Sequence, residues 1–204
     1  SHWFVHAIFI EYIPFIVLLL ALFTISGGIM IRGNFVGSPK LNLIFLITGT
    51  VLASWMGTTG AAMLLIRPVI RANIWRKNRT HVKIFFIFLV ANIGGSLTPL
   101  GDPPLFIGFL KGVDFFWTTK YMFLPMVFVS ILLLIIFYFI DSFYYKKEIS
   151  LRPTSEKINF SIKGKFNLLL LVGVIISVIF SGNLKNNLGS IDFLGNELML
   201  SFLY

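Results

Sequence analysis

Asp102 is the residue whose position asks most for a chemical reason. It lies in ANIGGSLTPLGDPPLF, Ala91 to Phe106, where Gly94, Gly95 and Gly101 alternate with Pro99, Pro103 and Pro104 inside an otherwise apolar run. A proline inside a helix removes a hydrogen bond and costs about 3 kcal/mol or more, so the cluster predicts a broken helix. In lipid, unpaired backbone persists only where protein or a watery cavity surrounds it, which makes the break a candidate site. Burial penalises a bare carboxylate charge, so a proton and a sodium ion would compete for Asp102. The expected sodium ligands are Thr58, Thr59, Ser96 and Asp102, with the Thr98 hydroxyl and the Gly94 and Gly95 carbonyls as further hard oxygen donors. A plainer reading makes Asp102 the N-cap of a helix that starts at Pro103. Capping, however, needs only Ser or Asn, whereas a carboxylate in the membrane costs about 2.5–3.5 kcal/mol.

The elements that must position these groups follow from composition and run length. Of 204 residues, 57% are hydrophobic and only 12% charged, which excludes an ordinary soluble domain and points to an all-α integral membrane protein. Apolar runs long enough for the roughly 30 Å hydrocarbon core occupy Tyr12 to Ile31, Leu41 to Ile66, Ile84 to Leu110, Tyr121 to Ile140 and Phe166 to Leu184. The second run, continued to Ile70, would be about 45 Å long as one helix and overshoots the core. A re-entrant hairpin over 41–70 with Gly57, Thr58, Thr59 and Gly60 at its tip fits better. It also puts Arg32 and Lys40 on the same side as the basic loops 71–83 and 141–165, which the positive-inside rule makes cytoplasmic. The broken helix spans 84–110, its two halves leaving Asp102 near the bilayer midplane.

Three stretches carry a family resemblance: EYIPFIVLLLALFTISGGI from Glu11, GTTGAAMLLIRPVIRAN from Gly57, and ANIGGSLTPLGDPPLFIGFLKG from Ala91. They resemble sodium/proton antiporters of the NhaD type, within the ion transporter superfamily that also holds citrate, dicarboxylate and arsenite carriers. The resemblance implies an inverted-repeat transporter fold, with residues 1–140 as the first repeat, 141–165 as a cytoplasmic linker and 166–204 as the start of an incomplete second repeat. It also implies sodium and protons as transported species with no other cofactor, a multi-pass location in a bacterial inner membrane, and a homodimer at full length. Sodium-coupled relatives place Ser-Asn-Thr at the hairpin tip where this chain has Gly57, Thr58 and Thr59. Their Gly-Thr-Pro-Pro-Asn corresponds to Gly101, Asp102, Pro103, Pro104 and Leu105 here. The gained carboxylate suits a carrier of cations.

The remaining polar residues have simpler expected roles. Glu11 opens the first span and is a candidate for proton entry. Arg67 and Arg71 are expected to reach the membrane boundary from the hairpin, and His81 to be a solvated loop residue. Ser26-Gly27-Gly28 and the stripe Gly49, Ala53, Gly57, Ala61 read as close-packing surfaces. Without cysteine, and with His2, His6 and His81 lacking a metal-binding spacing, neither thiol nor metalloenzyme chemistry is expected. An aspartyl protease needs two facing carboxylates, and Asp114, Asp141 and Asp192 lie at segment ends or in loops. The basic loops read as topology signals that meet anionic lipid, not nucleic acid. The alternatives to antiport are a carrier of citrate, dicarboxylate or arsenite, and an inactive fragment, because SHWFVH and LSFLY suggest a piece of a longer chain.

Overall fold

Large apolar side chains on the outer faces of the helices, with Asn42, Ser54, Thr58, Arg76 and Asp141 buried between them, characterise a helical fold. In the computed structural model, residues 7–148, 161–184, 190–193 and 196–199 are described. A π-helical turn, Ala7–Tyr12, leads into α1 (Ile13–Gly27), followed by β1 (Met30–Arg32), α2 (Pro39–Met56) and α3 (Thr58–Ala72). Then come α4 (Thr80–Leu89), a 3-10 turn (Ile93–Leu97), α5 (Pro103–Leu110), α6 (Trp117–Glu148), β2 (Ser161–Lys163) and α7 (Lys165–Leu184). A small ribbon of β3 (Ser190–Phe193) and β4 (Asn196–Met199) follows. Among the described residues, three helical stretches, Pro39–Met56, Thr80–Leu97 and Trp117–Glu148, are long and apolar enough to cross a membrane. Leu124 is 77% exposed while Arg76 is 2% exposed, the inversion expected where lipid is the solvent.

Residues 39–72 form two helices joined at Gly57. Ser38 caps α2, its hydroxyl accepting from the Leu41 amide at 3.3 Å, and Pro39 occupies the first turn, where a missing amide hydrogen is harmless. Gly57 reverses the chain with φ 82° and ψ 149°, a conformation that side chains disfavour. At the base, the Gly37 amide donates to Ala72 O at 2.7 Å, and the Asn42 and Asn73 amides exchange hydrogen bonds at 3.0 and 2.8 Å. Both arms therefore return to one end of the fold. The antiparallel pairing of Met30–Arg32 with Ser161–Lys163, and β1 packing on α3, bring the segments around 30 and 161 toward that end as well. The core runs through Leu46, Met56, Leu65, Phe86, Leu89 and Phe137.

Several boundaries differ from the sequence expectation. The first span stops at Gly27, and its last residues form β1 instead of helix. Ser26 is buried against Gly60, and Gly28 abuts Asn167, whose side-chain amide donates to Ile25 O at 3.2 Å. Helix α6 does not end at Ile140 but continues through Asp141 to Glu148, because Asp141 and Glu148 find buried partners there. The expected polar linker thus begins as helix and contributes β2, while residues 149–160 lie outside the described residues. The four-residue stripe is divided by the turn: Gly49 and Ala53 stay on α2, Gly57 reverses the chain, and Ala61 belongs to α3.

Candidate functional site

The broken segment unwinds where glycine and proline accumulate. After Leu89 the chain tightens into the 3-10 turn, then runs extended at Thr98 (φ −136°, ψ 159°) and at Asp102 (φ −137°, ψ 143°) before α5 begins at Pro103. Hydrogen bonds to the hairpin and to α6 hold the unwound passage. Ser54 Oγ donates to Gly94 O at 2.5 Å, and the Thr98 hydroxyl donates to Ser54 O. The Thr58 amide donates to Gly101 O at 3.1 Å. From α6, Thr118 and Thr119 hydroxyls donate to Leu97 O at 2.9 and 2.6 Å. Buried backbone without such partners would be costly in lipid, so these bonds explain how a non-helical passage persists.

Asp102 occupies the N-cap position of α5, yet its side chain makes no capping bond. Its Oδ1 instead accepts from Thr58 Oγ1 at 3.0 Å, across from the hairpin tip. The capping role is filled by backbone alone, and the carboxylate is left for the interface between tip and break. Gly95 sits directly beneath: a Cβ there would lie 2.6 Å from Thr58 Cγ2 and 2.8 Å from Asp102 Oδ2. Above these groups is a cleft of about 50 Å³, walled by Leu18, Leu22 and Phe23 of α1 and floored by Thr58, Thr59 and Asp102. That volume holds a few water-sized bodies. Among the described residues no Lys, Arg or His lines it, and no three His, Asp or Glu converge anywhere to hold a metal.

The predicted residues therefore separate. Thr58, Gly95 and Asp102 come together, and Thr59 lines the same cleft with its side chain exposed. The Gly94 carbonyl and the Thr98 hydroxyl instead face α2. Ser96 turns back on its own turn, donating to Ile93 O at 2.9 Å. Glu11 falls in the π-helical turn, and its side chain lies outside the described residues. Arg67 and Arg71 are exposed on α3. The expectation of a solvated His81 is corrected: its ring is half-buried, stacks on Tyr144 at 5.2 Å and places Nε2 2.8 Å from Asp141 Oδ1.

Sequence reasoning missed Ser54, Gly101, Thr118 and Thr119 as supports of the break. A serine or threonine one or two turns from a predicted break in an apolar helix is the signal that could have marked them, since each must find an acceptor nearby. It also missed Arg76, read only as part of a basic loop. No curated protein and no solved structure matches the chain. A family profile does match, over residues 1–203, so a hairpin tip meeting a broken helix is found here in a chain that belongs to the family described as "Putative citrate transport".

Proposed function

We propose that this chain forms the cation-handling part of a sodium/proton antiporter of the NhaD type, in which sodium and proton compete for Asp102. One observation carries the reading: a carboxylate at a helix N-cap forgoes capping and faces a small cleft with the Thr58 hydroxyl of the opposing hairpin. A hydroxyl, a carboxylate and nearby carbonyl oxygens suit a hard monovalent cation, and a bare carboxylate in so small a cleft repels anions. Thr58, Thr59 and Asp102 form the ligand set, with Gly95 shaping the floor; Ser96, Thr98 and the Gly94 carbonyl support the break. The first repeat, expected over 1–140, extends in this reading to Glu148, where α6 stops, with the linker after it and α7 opening the second repeat; the basic segments after α3 and after α6 lie on the cytoplasmic side of a bacterial inner membrane.

Sodium-coupled transport of citrate, a dicarboxylate or arsenite is the second reading, favoured by the family. In it Asp102 holds the coupling cation and the anion meets groups outside this cleft. Reconstituting the full-length protein in vesicles and recording sodium-driven proton flux with and without citrate separates the two. Flux without any anion supports antiport; flux only with citrate supports the carrier. Asp102→Asn abolishes sodium dependence in either case, and undiminished exchange by that variant would refute the assignment.

A further inference from the structure

The base of the hairpin holds a second polar assembly that the cleft does not use. Arg76, in the turn after α3, has a fully buried side chain whose Nη1 lies 2.5 Å from Asp141 Oδ1 on α6. Its Nη2 donates to Asp141 O at 3.3 Å, and its Nη1 reaches Asn73 Oδ1 at 3.3 Å. Asp141 Oδ2 accepts from Asn42 Nδ2 of α2 at 2.9 Å, and Asp141 Oδ1 also meets His81 of α4. Glu148 accepts from the Asn78 amide at 3.0 Å and from Asn78 Nδ2 at 2.7 Å. One aspartate thus joins both hairpin arms, α4 and α6.

Desolvating a buried ion pair roughly offsets its attraction, so such a pair contributes little net stability, and in some proteins buried polar groups fix register instead. Register matters here because, between this base and the bonds at the tip, Leu46, Phe86, Leu89 and Phe137 pack without directional bonds. A slip of one helical turn moves a residue about 5.4 Å along the axis, enough to part Thr58 from Asp102. Thr58 lies about 22 Å from the base along α3, at 1.5 Å per residue.

We propose that Arg76, Asp141 and Asn42 are positioning residues, which fix the depth of the hairpin against α6 and thereby hold Thr58 at Asp102. This rests on the reading of Thr58 and Asp102 as the cation site. The test is the double variant Arg76→Met with Asp141→Leu in the full-length protein, which removes both charges while keeping volume. Two readouts are taken: hydrogen exchange of the peptide containing Gly57 to Ala61 without sodium, and the sodium concentration for half-maximal proton flux in vesicles. The expected result is exchange at the tip faster by roughly three- to tenfold, the range one net hydrogen bond supports, with half-saturation rising and maximal flux retained. Wild-type tip exchange in the double variant overturns the proposal. Faster tip exchange in a protein whose wild type shows no sodium response upholds the positioning role and overturns the cation reading. Should the double variant not fold, Asn42→Leu is read by the same two measurements, with the same outcomes deciding.

Discussion

Replacing Gly95 by alanine places a methyl 2.6 Å from Thr58 Cγ2 and 2.8 Å from both the carboxyl carbon and Oδ2 of Asp102. Atoms do not approach so closely, so the Thr58 or Asp102 side chain must shift, and the 3.0 Å contact between them is disturbed. Overpacking costs about 1–3 kcal/mol, and a hydrogen bond to a charged group is worth about 1.5–3 kcal/mol. If displacing one ligand oxygen costs the bound cation about 1.4 kcal/mol, affinity drops about tenfold. Gly49→Ala, on α2, is the matched control. Its methyl would meet Val90 Cγ2 at 2.6 Å, Leu65 Cδ1 at 2.9 Å and Val90 Cγ1 at 3.0 Å, all side-chain atoms away from the carboxylate. Both variants should melt earlier in detergent. Only Gly95→Ala should raise the sodium concentration for half-maximal proton flux. Equal half-saturation in the two variants would refute the placement of the site at Asp102.

Two further outcomes follow from the supports of the break. Gly57→Ala forces a side chain into φ 82°, ψ 149°, with Cβ 3.2 Å from Leu100 O, and should cost about 1–3 kcal/mol in a thermal melt. Thr118→Val and Thr119→Val should each cost about 0.5–1.5 kcal/mol, because either hydroxyl can serve Leu97 O alone; the double variant should cost more than the sum, measured as a double-mutant cycle by calorimetry.

The break and the hairpin were legible in the sequence because their causes are local. Three prolines and three glycines between Gly94 and Pro104 cannot remain helix, whatever surrounds them. The run from Leu41 to Ile70 turns at Gly57, whose φ of 82° suits glycine; length alone does not force a turn, since α6 runs 32 residues as one helix. The meeting of hairpin tip with break, expected from these two features together, appears as the bonds of Thr58 to Gly101 and Asp102.

Which hydroxyls converge was not legible. Thr58 and Thr98 look alike in sequence, yet Thr58, at the start of α3, meets Asp102, while Thr98, extended after the 3-10 turn, meets the end of α2. Arg76 stands among Lys77 and Arg79 in a loop whose charge suggests solvent, and its burial depends on Asp141, far along the chain. The pairing of Met30–Arg32 with Ser161–Lys163 depends likewise on distant segments. By itself, then, the sequence determined a membrane-embedded helical chain that can double back at Gly57 and must unwind once, since apolar composition and backbone chemistry act within a few residues. Only the tertiary structure decided which oxygen atoms share the cleft and which charges lie buried at the hairpin base, since those depend on how rotated helix faces meet across long stretches of chain.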